Sequence, residues 1–174
     1  MAAGDRRRDV RSGEKGGAAT GASPADRGRT ASKLHLCCDG DGRPLSVAVS
    51  GANENERGYL LHLVDAIPPL RVDAGVVGNR PDALLADRGY DAQHLRESLS
   101  ERGIEPRIVR RRRPGEGRAR DPQVAERWTI ERTNAWLHAW RRVSVRYERR
   151  AELYLALVQL ACAVILCRYL ERAF

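Results

Sequence analysis

An alternation of apolar and polar residues marks two neighbouring stretches in the first third of the chain. It covers 34–38 and 45–49, and in the second stretch every other side chain is apolar. The segment 39–42 between them, Asp-Gly-Asp-Gly, consists of residues that tolerate turn conformations with positive φ. The pattern predicts a β-hairpin at this point.

Apolar spacing along the rest of the chain predicts an alternation of helices and short strands. In chain order these are a helix at 53–67 ended by two prolines, a strand at 83–86, a helix at 92–102, a strand at 106–109, and helices at 122–140 and 151–170. Such an order indicates an α/β fold in which a mixed sheet is flanked by helices. Because the last helix is apolar on nearly every side, we expect the rest of the domain to enclose it.

Residues 1–30 lack hydrophobic periodicity and are rich in glycine, alanine, arginine and serine. This composition predicts a basic arm that is disordered or irregular. The remaining residues, 31–174, suffice for one domain with its own core but not for two. We therefore expect an arm followed by a single domain.

The chain carries a net charge of +8 and has a sequence pI of about 9.9. Of its 31 basic residues only Lys15 and Lys33 are lysines, and fourteen arginines against five acids lie in 107–150. Such a basic surface favours an anionic partner, nucleic acid before membrane, because guanidinium groups bind phosphate oxygens in pairs. A G+C-rich genome also enriches arginine, and composition alone leaves that cause open.

The four cysteines occur in apolar stretches and show no zinc-binding spacing, which predicts buried thiols in a reducing, cytoplasmic compartment. They are Cys37, Cys38, Cys162 and Cys167. The apolar run 153–167 is shorter than the ~20 residues of a bilayer span, and polar Gln159 interrupts it. We therefore expect no membrane segment, and the N-terminus shows no apolar signal segment.

Two acidic residues are candidates for metal chemistry. Asp87 directly follows the predicted strand 83–86, and Glu131 lies inside the third predicted helix, four residues after Arg127. Ligands of α/β sheets collect at the carboxyl ends of strands, and an acid there can share a divalent metal ion with an acid on a helix. Two plainer interpretations stay open: Asp87 as a turn residue, with Asp91 the better helix cap, and Glu131 in a surface ion pair. We interpret the tryptophans of the third helix as packing residues rather than base-stacking platforms.

Both acids lie within longer motifs that resemble those of the DDE transposases of bacterial insertion sequences. Residues 86–91, Ala-Asp-Arg-Gly-Tyr-Asp, resemble the second acidic motif of that family, and 127–137 with the tail 141–150 resemble the third. Upstream, 21–29 and 32–36 are also similar to family segments. The similarity extends over nearly the whole chain apart from its extreme N-terminus.

The resemblance implies a ribonuclease H-like catalytic domain over 31–174, with Asp87 as the second and Glu131 as the third acid that binds Mg²⁺ or Mn²⁺. It implies DNA transposition by metal-dependent phosphodiester hydrolysis and strand transfer at insertion-sequence ends. DNA is then the expected partner, and nearby arginines are expected to hold its phosphates without reading sequence. These are Arg110, Arg111, Arg112, Arg113, Arg127, Arg141 and Arg142.

The first acid of the family is where this chain departs from the pattern. In the family it lies on a leading strand, a few residues before a Val-Arg pair that resembles Val10-Arg11. Here 1–9 shows no strand pattern, and Asp5 and Asp9 are its only acidic candidates to substitute. We therefore expect an N-terminally truncated chain whose first strand is missing or disrupted and whose catalysis is impaired.

Three alternatives remain at this level. The chain is a non-catalytic, basic DNA-binding remnant or regulator, acting as a homo-oligomer or in a hetero-oligomer with full-length transposase. It is another metal-dependent nuclease of the ribonuclease H type. Or it is an unrelated structural domain whose arginines are compositional. Salt-dependent DNA binding separates the last alternative from the others.

Overall fold

A computed structural model describes residues 2–4, 10–12, 17–24, 26–72, 75–110 and 124–171, with backbone alone at 2–4, 10–12, 70–72, 75–77 and 124–127. Its elements in chain order are β1 (Ala2–Gly4), β2 (Val10–Ser12), β3 (Gly21–Ala22), β4 (Thr30–Cys38), β5 (Pro44–Gly51), α1 (Arg57–Asp65), β6 (Leu70–Val72), β7 (Gly75–Val77), β8 (Ala83–Ala86), α2 (Gln93–Glu101), β9 (Glu105–Ile108), α3 (Val124–His138), α4 (Arg141–Ser144), β10 (Val145–Arg146) and α5 (Ala151–Glu171).

The strands form one mixed sheet whose central order is β5-β4-β1-β8-β9. β4 is antiparallel to both β5 and β1, whereas β1, β8 and β9 are parallel to one another. A separate two-stranded ribbon, β6–β7, lies between the predicted helix 53–67 and the predicted strand 83–86, where the apolar spacing predicted no element. The α/β class and the mixed sheet flanked by helices, as expected of a ribonuclease H-like domain, are confirmed.

The predicted hairpin forms between β4 and β5, and its turn is held by one aspartate. The carboxylate of Asp39 accepts hydrogen bonds from the backbone N–H groups of Asp41 and Arg43, each at 2.9 Å. Gly42 has a φ of 89°, a conformation that glycine adopts without strain. The Asp-Gly-Asp-Gly signal in the sequence thus specified this turn correctly.

Two short segments occupy the place of the first strand. β1 and β2 both pair antiparallel with β4, through Ala2 opposite Cys38 and Val10 opposite Ser32. Eight positions separate Ala2 from Val10, whereas six separate their partners, so the two segments pair with β4 in registers that differ by two residues. The first strand is therefore disrupted, as one version of the prediction had it, but it is not missing. β3 also lies within 1–30.

The sheet carries one apolar core on each face, because successive β4 side chains point to opposite sides. On the α1–α2 face, α1 and α2 bury their leucines against Cys37, Leu84 and Ala86. On the α3–α5 face, α3 and α5 pack against Leu36 and Leu85. Strand β8 thus contributes adjacent residues to both cores.

Helix α5 departs from the expectation that it is enclosed. It buries one side, including Tyr154, Val158 and Ile165, but Leu153 and Leu160 are 52% and 60% exposed. Its length and mean hydropathy of 2.0 are those of a membrane-crossing helix, and 28% of the apolar window is buried in this domain. Cys167 on the same helix is exposed, which corrects the prediction that all four thiols are buried.

A buried arginine ties distant parts of the chain together beside β2. Arg146 is 1% exposed, and its guanidinium donates hydrogen bonds to the carbonyls of Ala18 and Ala19 and to the Ser32 hydroxyl. It also lies over the ring of Tyr154, 5.1 Å from the ring centre. Burial lowers the pKa of Arg146, but arginine stays protonated in proteins, so carbonyl dipoles and an aromatic ring stabilise a buried cation here.

Candidate active site and nucleic-acid interface

Asp87 lies at the carboxyl end of β8, where the sequence predicted it. Its backbone is extended, and its side chain accepts a hydrogen bond from the Arg88 backbone N–H at 2.6 Å, which caps a 3-10 turn at Arg88–Tyr90. The capping interpretation and the strand-end interpretation therefore describe the same residue. Asp91 is not the N-cap of α2: its carboxylate pairs with Arg96 at 2.7 Å, and the N-cap residue Ala92 offers no side-chain cap.

The alternation along β8 decides which face Asp87 occupies. Leu85 belongs to the core of the α3–α5 face, whereas Leu84 and Ala86 belong to the opposite core. Because Asp87 continues the extended chain two residues after Leu85, it lies on the α3–α5 face as well.

Glu131 is carried on that face by α3. The buried stripe of this helix, Ile130, Thr133, Asn134 and Leu137, faces the sheet, and half-buried Glu131 borders it. α3 packs across β1 and β4, and Ile130 shares one apolar cluster with Leu85. Ile130, directly before Glu131, and Leu85, two residues before Asp87, therefore belong to the same core.

The first strand passes directly beside Asp87. Ala3 of β1 pairs with Ala86, so Gly4 comes level with Asp87. On its other side Gly4 pairs with Leu36, whose side chain belongs to the α3–α5 core. Paired residues on neighbouring strands point to the same face, so position 4 is where a side chain on this strand would be aimed at the Asp87 side. The candidate substitutes Asp5 and Asp9 lie outside the described residues.

The donor chemistry of this site suits a hard divalent cation. Asp87 and Glu131 offer carboxylate oxygens, which Mg²⁺ and Mn²⁺ prefer over nitrogen or sulfur. Within the described ranges, no group of three or more histidine, cysteine or acidic side chains is close enough to hold a metal. The two acids thus fit the metal in type but supply only part of a ligand set.

The described residues include four of the seven predicted DNA-binding arginines. Arg110 is exposed and follows β9, which is parallel to β8 through the pair Ala86–Ile108, so it leaves the sheet at the same edge as Asp87. The backbone of Arg127 lies in α3, one turn before Glu131. Its side chain is not among the described groups. The arginines 111–113 lie outside the described residues entirely.

The two arginines of α4 differ in their environment. Arg141 is exposed at the start of this helix. Arg142 is also exposed but forms an ion pair with Glu148, whose side chain is 7% exposed. Part of the charge of Arg142 is therefore neutralised within the protein, whereas Arg141 forms no ion pair with a described residue.

One cluster that sequence reasoning did not identify lies on the other flank of α3. Its members contact one another in the order Trp128, Arg132, Trp136, Tyr169 and Arg43. We call this cluster the aromatic–arginine ladder. The interpretation of the tryptophans as packing residues suits half-buried Trp136, but Trp128 is 58% exposed. The four-residue spacing of its first three members was a visible signal.

Comparison with known proteins adds two findings. The family model described as "Transposase DDE domain" matches residues 7–166. Over 155 residues the chain is 45% identical to a Burkholderia cepacia protein assigned as the transposase of insertion sequence element IS402, covering 88% of this chain and 71% of that protein. Both matches include the segments that contain Asp87 and Glu131.

Proposed function

This chain belongs to the transposase DDE-domain family, and on that premise we propose that it binds DNA and catalyses metal-dependent phosphodiester cleavage and strand transfer at insertion-sequence ends. The observation that carries the proposal is that the strand ending at Asp87 and the helix bearing Glu131 contribute to one core on one face of the sheet. Two carboxylates carried on one face of a rigid scaffold are suited to share a divalent cation.

In this proposal Asp87 and Glu131 hold Mg²⁺ or Mn²⁺. When bound, such an ion lowers the pKa of a water molecule and offsets negative charge on the phosphate. The chain itself supplies position: the Arg88 amide orients the Asp87 carboxylate, and the buried Ile130 fixes the helix turn that carries Glu131. Exposed Arg110, at the same edge, is suited to hold a backbone phosphate.

We further propose that catalysis is impaired because Gly4 occupies the place of the first acid. Gly4 is level with Asp87 and opposite Leu36, and a glycine offers no ligand. We propose that neither Asp5 nor Asp9, both outside the described residues, fully replaces a carboxylate at position 4.

The proposal is tested by supplying the missing carboxylate. We expect Gly4→Asp to increase Mn²⁺-dependent nicking of DNA with insertion-sequence ends by roughly ten- to a hundredfold, the scale that metal-site partners control. The matched Gly4→Asn variant, which adds a side chain of the same shape without charge, should show no gain. Asp87→Asn or Glu131→Gln, added to Gly4→Asp, should abolish the gain.

Thermal unfolding gives a readout that is independent of turnover. Mn²⁺ should raise the Tm of Gly4→Asp, because a ligand that binds only the folded state stabilises it, and the Asp87→Asn substitution should remove that rise. A folded Gly4→Asp protein that gains neither nicking nor a Mn²⁺-dependent rise in Tm contradicts the proposal.

The glycine at position 4 also favours a second candidate function, that of a non-catalytic DNA-binding regulator. In this role the protein occupies insertion-sequence ends, alone or in oligomers with a full-length transposase. DNA binding that weakens steeply with salt, together with no nicking by any variant, supports this role over catalysis. Co-purification of tagged and untagged chains tests the oligomer.

A further inference from the structure

We propose that the aromatic–arginine ladder and the cavity beside it bind unpaired nucleotides of a DNA strand that crosses α3. One base stacks on Trp128 and the next nucleotide enters the cavity. The inference rests on the proposed function only for the class of ligand, since it assumes that DNA reaches this face. It assigns a site separate from the two metal-binding acids.

The cavity lies where the β4–β5 turn, α3 and α5 meet. Its volume of about 470 Å³ is within the range of small-molecule sites. Its walls are the turn residues 40–41 and the side chains of Arg43, Thr129, Arg132, Trp136 and Tyr169. Aromatic surfaces and guanidinium groups therefore line the same space, which suits a ligand with both a flat ring and an anionic group.

The ladder is continuous from the cavity to the outer surface of α3. The guanidinium carbon of Arg132 lies 4.8 Å from the ring centre of Trp128 and 4.9 Å from that of Trp136. The rings of Trp136 and Tyr169 meet edge to face with centres 6.2 Å apart, and Arg43 lies 5.2 Å from the centre of the Tyr169 ring. Trp128 forms the outer end.

Hydrogen bonds to the hairpin turn hold the ladder in place. Arg132 and the Tyr169 hydroxyl both donate to the carbonyl of Asp41, the latter at 2.7 Å. The hydroxyl of Thr133 donates to the carbonyl of Gly42 at 2.7 Å. Because these groups are already ordered, a ligand that binds them incurs little further loss of side-chain entropy.

The charge of the ladder is available mainly at Arg132. Arg43 forms ion pairs with Asp39 and Asp41, at 3.1 and 2.8 Å. Arg132 donates to neutral oxygens, and in the described part of the chain no carboxylate lies within ion-pairing distance of it. The Nε atom of Arg132 is buried and has no hydrogen-bond partner among those residues. An incoming phosphate would therefore meet a cation that the protein itself has not neutralised.

The position of the ladder on α3 relates it to the proposed active site. With about 100° per residue, Trp128 and Arg132 lie about 60° and 100° around the helix from Glu131, on the side away from Asn134. A strand that lies over this helix can therefore contact Glu131 on one flank and the ladder on the other. We infer that the bound nucleotides lie close to the phosphate at the two acids.

Unpaired DNA is the ligand that this geometry favours. An indole that is 58% exposed at the end of a stack can accept a base only if that base is free of its own neighbours. Stacking of this kind tolerates any base, because every base has a π-face. The site therefore recognises single-strandedness rather than sequence.

The test measures binding of a short single-stranded oligonucleotide to the full chain by quenching of tryptophan fluorescence and by anisotropy of a labelled strand. Trp128→Ala should weaken binding about 5- to 150-fold, the loss that corresponds to one stacked base, and Trp128→Phe should retain most of it. Trp140→Ala is the matched control, because Trp140 is also exposed, at 38%, but lies outside the ladder. The affinity of this variant for the oligonucleotide should equal that of the unmodified chain. The unmodified chain should bind an abasic strand of equal length as weakly as Trp128→Ala binds the intact strand.

Two results overturn the inference: Trp128→Ala that binds the oligonucleotide as tightly as the unmodified chain, or an abasic strand that binds as tightly as the intact one. Both variants are checked for an unchanged Tm, so that loss of binding is not loss of folding. Stacking-dependent binding without Mn²⁺-dependent nicking by Gly4→Asp supports the ladder site and contradicts catalysis. Nicking with no effect of Trp128→Ala on strand binding contradicts the ladder site alone.

Discussion

On the α1–α2 face of the sheet, the leucines of two helices are closed off from solvent, whereas the α3–α5 face combines a core with polar and exposed groups. Leu60, Leu63 and Leu99 of the first face are 0% exposed. The second face carries both acids, the aromatic–arginine ladder and the exposed leucines of α5. The α1–α2 face therefore contributes mainly to stability, whereas the α3–α5 face leaves some apolar surface exposed and carries the groups proposed to bind metal and DNA.

The two faces are coupled through a single strand. β8 places Leu84 in one core and Leu85 in the other, and then ends at Asp87. The apolar packing of both faces therefore fixes the end of this strand. Substitutions on the α1–α2 face that do not touch β8 should affect stability more than they affect the groups proposed to bind ligands, and the following predictions compare the two faces.

Truncation of a leucine should have very different costs on the two faces. Leu63→Ala on the α1–α2 face should lower the free energy of unfolding by about 2–5 kcal/mol, because it leaves a cavity in a closed core. Leu160→Ala on the exposed side of α5, the same chemical change, should cost less than about 0.5 kcal/mol. Urea unfolding of the two variants measures the difference, and equal costs would show that the exposed side of α5 is covered in solution.

A pH dependence should arise from the α1–α2 face. His35 is fully buried, its Nε2 atom lies 2.8 Å from the Ser50 hydroxyl, and its Nδ1 has no partner among the described residues. Burial, and secondarily the charge of Lys33, lower the pKa of His35 from 6.5 to about 4. Protonation therefore favours the unfolded chain, so this stability is full above pH 6.5 and is lost as the pH falls toward 4.

The expected loss over that window is on the order of 3 kcal/mol. Urea unfolding at pH 7, 5.5 and 4.5 measures it, and His35→Gln should flatten the slope. A hydrogen bond from Tyr59 lowers the pKa of Glu54, so the contribution of Glu54 is lost only below its usual value of 4.5, outside most of the window. An unchanged slope in His35→Gln would assign the effect to other groups.

A smaller effect should come from the tie between α3 and the hairpin. Thr133→Val keeps the side-chain shape but removes the hydrogen bond to the Gly42 carbonyl, which should cost about 1 kcal/mol. Thr129→Val is the control, because the Thr129 hydroxyl makes no hydrogen bond to a described residue and lies one turn earlier on the same helix. The comparison uses unfolding free energies, and a larger loss for Thr129→Val would contradict this account.

Local signals made much of this fold predictable. The aspartates and glycines at 39–42 were sufficient to predict the hairpin turn. Helices α2 and α5 lie close to their predicted bounds. The position of Asp87 at a strand end and of Glu131 within a helix also followed from local pattern. Alternation after Leu85 puts Asp87 on the same face as Leu85. The sequence alone does not say which helix covers that face, and so it could not place Glu131 on it.

Non-local pairing explains what the sequence did not reveal. β1 and β2 have no apolar alternation of their own and exist as strands because β4 and β8 supply their hydrogen bonds. The apolar run of α5 indicated burial but not that one side stays exposed. In the ladder, Trp128, Arg132 and Trp136 share a visible spacing, but Arg43 and Tyr169 join them only in the folded chain.

The buried guanidinium of Arg146 bears on how the molecule is made. Its hydrogen bond to the carbonyl of Ala18 joins residues 128 positions apart. A ribosome must therefore translate through residue 146 and release it from the exit tunnel before this tie can form. Until then β2 also lacks its β10 neighbour, and contacts of such long range form slowly. Premature termination upstream of Arg146 should thus yield a nascent product that chaperones and proteases can engage.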